Sequence, residues 1–317
     1  MSVDLSVELA PQNLKQGLRL ENPVIAASGC FGWGTEYARV IDVQRLGAII
    51  SKGTTLRPRR GNPMPRLAET PAGMLNAIGL QNIGVHRVAN EKAPVWAAWR
   101  VPVLVNVAGD DVEEFCECVR VLDGVPGVAG IELNVSCPNV LAGGSVFACD
   151  PYSAAEVTAA VRRSTTLPLM VKLSPNVADI VSIALAVEEA GADAISLINT
   201  LVGMKIDIRQ RRPFLGNETG GLSGPAVRPV AVRMVYQVAQ AVHIPIIGIG
   251  GIASTEDALE FIMAGASAVQ MGTAIFVDPA APLQVIDGLG QFMKHEGVRR
   301  LGELVGAANA RFRGGRE

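Results

Sequence analysis

Along this chain, short β-branched and aliphatic runs alternate with longer stretches whose apolar residues recur three and four positions apart. The short runs occupy residues 24–28, 48–52, 101–107, 130–135, 167–173, 194–199, 244–249 and 268–272, eight in all. Each is apolar almost throughout, as for strands covered on both faces. The helical period is clearest at Ile180, Ile183, Ala184 and Val187, which share one face. That helix is predicted to stop at Ala190-Gly191, where glycine can take the left-handed conformation of a helix end. Ser254-Thr255-Glu256-Asp257 carries N-cap chemistry for a later helix, which Gly265 closes. Strand and helix repeated eight times predict an α/β fold, a closed (β/α)₈ TIM barrel, with an open doubly wound sheet as the structural alternative. Segments 54–95 and 201–225 are too long for plain connections and read as ordered insertions over the C-terminal rim. Residues 1–317 read as one domain, with 1–20 as an N-terminal extension and 310–317 as a flexible tail.

Hydrophobic residues make up 49% of the chain and charged ones 18%, enough apolar surface for a large core. Aromatics, at 4%, leave that core to small aliphatic side chains. The net charge of −2 gives no basic excess for nucleic acid, so no such partner is expected. Arg57, Arg59, Arg60 and Arg66 form a local basic run that reads as a solvated loop or a partner surface. No secretory signal precedes residue 20 and no apolar run is long enough to span a bilayer, so a cytoplasmic protein is expected. Five cysteines (Cys30, Cys116, Cys118, Cys137 and Cys149) then read as free thiols. Cys116 and Cys118 lie two apart on a helix and point in different directions, so they read as idle thiols and no metal site is expected.

The candidate chemistry sits where the strands end. Loops at the carboxyl ends of parallel strands carry the active sites of such barrels. Those ends hold Ser28-Gly29-Cys30, Ser51-Lys52-Gly53, Asn106, Asn134, Lys172, Asn199-Thr200, Gly250-Gly251 and Gly272-Thr273. Two lysines near one rim cost desolvation unless anions compensate them. Glycines at the ends of the last two strands let backbone N–H groups approach a phosphate, the helix starting near Ser254 adds a positive dipole end, and 221–225 offers further N–H groups. Asn134-Val135-Ser136-Cys137-Pro138-Asn139 places a thiol on a loop, followed by Gly143-Gly144, as a reactive group on a movable lid.

Several of these segments together resemble dihydroorotate dehydrogenases. They are Ser-Lys-Gly-Thr-Thr at 51–55, Asn-Ala-Ile-Gly-Leu-Gln-Asn at 76–82, Asn-x-Ser-Cys-Pro-Asn at 134–139 and Lys-Leu-Ser-Pro-Asn at 172–176. Ile-Asn-Thr at 198–200, Thr-Gly-Gly-Leu-Ser-Gly-Pro-Ala at 219–226 and Met-Gly-Thr-Ala at 271–274 continue the series in family order. Cysteine at 137 marks class 1 of that family, and residues 22–32 resemble the class 1B catalytic subunit most. The resemblance implies FMN with its phosphate on Gly250, Gly251, Gly272 and Thr273, and with Ser28, Lys52, Gly53, Asn106, Asn134, Lys172, Ile198 and Gly224 along the flavin. It implies dihydroorotate over the ring, its carboxylate paired with Lys52 and its polar edge bonded by Asn76, Ala77, Ile78, Gly79, Leu80, Asn134, Asn199 and Thr200. Cys137 would remove the C5 proton while hydride leaves C6 for flavin N5, yielding orotate for pyrimidine biosynthesis.

The chain has neither four suitably placed cysteines for a cluster nor a dinucleotide-binding glycine fingerprint. By resemblance, a second subunit carrying FAD and a [2Fe–2S] cluster would pass electrons to NAD⁺, in a heterotetramer built on a homodimer of this chain. Three other readings stay open: a class 1A fumarate-linked enzyme, a dihydropyrimidine dehydrogenase subunit, and a flavin-free scaffolding barrel. A tRNA-acting flavin reductase would want a basic face that the net charge does not supply.

Overall fold

The computed structural model describes residues 3–135 and 150–309. Eight strands close a barrel: β1 (Val24–Ala26), β2 (Ala48–Ile50), β3 (Val103–Val107), β4 (Gly130–Asn134), β5 (Leu169–Lys172), β6 (Ala194–Leu197), β7 (Ile246–Ile249) and β8 (Ala268–Met271). Neighbours in sequence are neighbours in space, all pairs are parallel, and β8 returns to β1. The barrel, and not the open sheet, is therefore the fold. Three strands start two residues later than the apolar runs 101–107, 167–173 and 244–249 predict, because Pro102, Pro168 and Pro245 have no N–H to give the ladder. Their carbonyls still accept, from Ile49, Ile131 and Ile195 of neighbouring strands.

Alternation along each strand separates two cores. Ile131 and Leu133 of β4, with Val103, Val105 and Val107 of β3, pack outward against the helices. Ile25, Ile50, Leu104, Met170, Ala194, Ile247 and Ala268 fill the barrel interior together with Leu9, Leu18 and Leu20. Those last three come from a small antiparallel hairpin, Val7–Glu8 against Arg19–Leu20, so the N-terminal extension plugs the barrel floor.

The helix Ile180–Glu189 buries the four residues that the periodicity picked out, and Gly191 after its end has φ +97°. Helix Thr255–Ala264 starts at a capping box, Ser254 Oγ accepting from Asp257 N while the Asp257 carboxylate accepts from Ser254 N. Cys116 and Cys118 are buried in Val112–Leu122. The two long insertions meet above the rim. Leu67–Thr70, Gly73–Asn76, Thr219–Ser223 and Leu201–Met204 join in one antiparallel sheet, which draws two strands from each insertion.

Replacing Ser254 by Ala removes the side-chain acceptor of the capping box and is expected to cost about 1 kcal/mol. Urea denaturation checks this; an unchanged midpoint would show that the cap contributes nothing.

Candidate active site

Between the barrel rim and the antiparallel sheet lies a cavity of about 1240 Å³. Every described residue that the sequence analysis assigned to a ligand lines it, from Ser28, Lys52 and Gly53 on the first two strand ends to Gly272 and Thr273 on the last. Asn76–Leu80 approach from the sheet, Asn199 and Thr200 from the end of β6, and Gly224 from the second insertion. Cys137, with Ser136, Pro138 and Asn139, lies outside the described residues, as do Cys149 and residues 310–317. Strand β4 delivers Asn134 to the cavity wall just before that segment.

Under the cavity the inward positions turn polar. Glu132 is wholly buried, and its carboxylate accepts from Asn106 Nδ2 at 2.7 Å, Gln270 Nε2 at 2.7 Å and Ser196 Oγ at 3.1 Å. Lys172 Nζ stands 3.7 Å from the same carboxylate and donates to Ser28 Oγ at 3.1 Å. Asn134 Nδ2 reaches Asn106 Oδ1 at 3.5 Å. Of the two rim lysines expected to need compensating anions, Lys172 has Glu132 as its counter-charge. Lys52 is half-buried, and its pKa is lowered by desolvation, with Glu36 opposing the shift. Sequence reasoning missed Glu132, Ser196 and Gln270 because it searched strand ends. The available signal was a charge inside an apolar run, two residues before Asn134 and so on the same face.

At the other end the wall is backbone. Gly250 and Gly251 have φ +127° and +77°, and a Cβ on Gly251 would lie 2.8 Å from both Arg228 Cβ and Gly224 O. Thr273 Oγ1 donates to Ser223 Oγ at 2.7 Å, tying the last strand end to the overlying sheet. Near Ser254 the Asp257 carboxylate accepts from Ala253 N and Ser254 N and pairs with Arg228.

The remaining motif residues divide into wall and support. Asn76 Nδ2 donates to Gly221 O at 3.2 Å within the sheet. Asn82, from the same motif, is buried and clamps the loop, accepting from Gly84 N and donating to Leu80 O and Thr55 Oγ1. Of the basic run, Arg59 pairs with Asp110 at 2.7 Å, and Arg66 donates to Asn62 O, Gln81 Oε1 and Arg60 O, while Arg57 and Arg60 are exposed. Half of that run thus stabilises the chain's own loops.

The family model for dihydroorotate dehydrogenase matches residues 12–293. The chain belongs to the dihydroorotate dehydrogenase family. It is 55% identical over 304 residues to a protein of Geotalea uraniireducens named dihydroorotate dehydrogenase B (NAD(+)), catalytic subunit, covering 96% of this chain and 98% of the relative. A Pelobacter propionicus protein of the same name is 55% identical over 97% of this chain and 99% of its own. One from Desulforamulus reducens is 53% identical over 98% and 100%.

Dihydroorotate dehydrogenases of this kind imply FMN, and the residues fit it. The cavity has a glycine cradle at one end and a hydrogen-bonding floor of Asn106, Asn134 and Lys172 at the other, and in the layer around Glu132 Gln270 Oε1 is buried without a partner among the described residues. Among the described residues no group of three or more His, Cys, Asp or Glu is placed to hold a metal, and no helix is long and apolar enough to cross a membrane.

Cys30 also lines the cavity, and burial pushes its thiol up to about 11 although Lys172 and Lys52 pull it down. At pH 8.5 its thiolate fraction is then about a hundredfold below that of an unperturbed thiol. Iodoacetamide labelling of Cys30, followed by peptide mass spectrometry, is expected to be slower by that order, and fast labelling at pH 8.5 would refute the assignment.

Proposed function

We propose that this dihydroorotate dehydrogenase oxidises (S)-dihydroorotate to orotate in its cavity, with Cys137 as the base at C5 and NAD⁺ as the final acceptor. Near full-length identity of 55% to NAD⁺-linked catalytic subunits carries the reading, and all the described candidate residues line one cavity in support of it. FMN, when bound, supplies the acceptor for the electron pair that leaves C6.

The chain's own groups then have distinct tasks. Gly250, Gly251, Gly272 and Thr273 line one end of the cavity and offer backbone N–H groups to the phosphate. Ser28, Gly53, Asn106, Asn134, Ile198 and Gly224 line the ring system, and Lys172 places its charge at the edge where electron density accumulates. Lys52 pairs with the substrate carboxylate; partial burial strengthens that attraction relative to water. Asn76, Ala77, Ile78, Gly79 and Leu80 cover the substrate, with Asn134, Asn199 and Thr200 bonding its polar edge. Cys137 takes the proton as thiolate, so turnover is set by the deprotonated fraction.

The relatives' names describe a catalytic subunit, which supports a separate partner. The described residues contain only Cys30, Cys116 and Cys118 as free thiols, two of them buried in one helix. We assign the FAD and [2Fe–2S] cluster to that partner, in a heterotetramer on a dimer of this chain, with a cytoplasmic location.

An anaerobic visible spectrum of the purified chain is expected to show flavin that bleaches on adding dihydroorotate. Flavin that stays oxidised would end the substrate assignment. Cys137→Ala is expected to keep the flavin and lose about 10²–10⁴ in turnover at saturating substrate. Wild-type turnover should rise with pH toward a thiol pKa of about 8.5, and a flat profile from pH 6 to 9 would remove the thiol from the base role.

A further inference from the structure

Among the described residues Glu132 is the one acid that faces the barrel interior beneath the cavity, and nothing in the reaction assigned above uses it. It does not line the cavity. Its carboxylate instead gathers groups from four strands: Asn106 from β3, Lys172 from β5, Ser196 from β6 and Gln270 from β8. A carboxylate only accepts, so both amides must turn their NH₂ groups toward it. Asn106 thereby keeps Oδ1 for the rim, where it meets Asn134 Nδ2 at 3.5 Å and lies 3.2 Å from the position of a Cβ on Gly53. Gln270 likewise keeps Oε1 away from the carboxylate, buried without a partner among the described residues.

We infer that Glu132 is a positioning residue that fixes the direction of the Asn106 and Gln270 amides and balances the charge of Lys172, so setting how strongly the site favours the reduced flavin. The inference rests on the assignment of Lys172 and Asn106 to the flavin. Lys172 alone would stabilise negative charge gained on reduction, and a buried carboxylate 3.7 Å away subtracts from that effect. The lysine supplies direction and hydrogen bonding, while the pair together limits the field.

The test is the midpoint potential of the bound flavin in Glu132→Gln and wild type, equilibrated with a reference dye. The amide is nearly isosteric but removes the negative charge. The reduced-to-oxidised ratio at fixed ambient potential is expected to rise about tenfold or more, which for a two-electron couple is about 30 mV. A purely structural role would lower the melting temperature and leave the potential where it was. Flavin bound in both proteins with a ratio changed less than about twofold overturns the inference and leaves the site assignment intact. Wild-type protein without flavin would instead sink the assignment itself, and the inference with it. A folded variant that loses flavin supports the inference, because Glu132 reaches the ligand only through the residues it holds. Should Glu132→Gln not fold, the double variant Glu132→Gln/Lys172→Met decides. Recovery of a cooperative melt supports the charge pairing, and continued failure overturns it.

Discussion

A carboxylate shut away from water must be answered by donors, and in this barrel Glu132 is answered from four separate strands. That requirement links strand register to site geometry. Asn106 stands opposite Glu132 in the β3–β4 ladder, Asn134 opposite Lys172 in β4–β5, and Lys172 opposite Ser196 in β5–β6. Slipping any of these strands by one residue would turn a polar group into the apolar layer outside and leave the carboxylate short of a partner. Closed parallel pairing is therefore what allows an ion pair and two amides to sit together in the barrel interior.

The interior is layered along its axis. Its lower part is apolar, plugged by Leu9, Leu18 and Leu20 from the N-terminal hairpin. Above it comes the polar layer around Glu132, and above that the cavity. The low polarity beneath strengthens every charge interaction in the layer, and the satisfied hydrogen bonds keep that strength from becoming a desolvation loss. The cavity itself is divided between a floor of side chains and an end of backbone. The floor holds Asn106, Asn134 and Lys172, while positions 250, 251 and 224 take glycine because a Cβ there would crowd Ala231, Arg228 or the opposing loop at Gly73.

The antiparallel sheet over the rim is built from both long insertions, so neither insertion covers the cavity alone. Asn76 bridges the two by bonding Gly221 O, and Thr273 joins the barrel to the sheet through Ser223. Cover and barrel are thus held in register by a few polar contacts at the cavity edge. Asn82, at the end of the same motif, spends its hydrogen bonds on Thr55, Leu80 and Gly84 and shapes the loop.

Much of this was legible in the chain itself. Eight apolar runs became the eight strands, Ile180 through Val187 became a buried helix face, and the capping of Thr255–Ala264 followed from four adjacent residues. Such features are local: they depend on periodicity, on capping side chains and on glycine's freedom, all of which act within a few residues. The residue types at the strand ends were equally local and sufficed to gather the cavity's lining. What only the tertiary structure decided was pairing between distant segments. That Glu132 answers Lys172 and that Arg59 pairs with Asp110 depend on closure of the barrel. Burial and partner choice arise from residues far apart in sequence, and no single stretch of chain contains them.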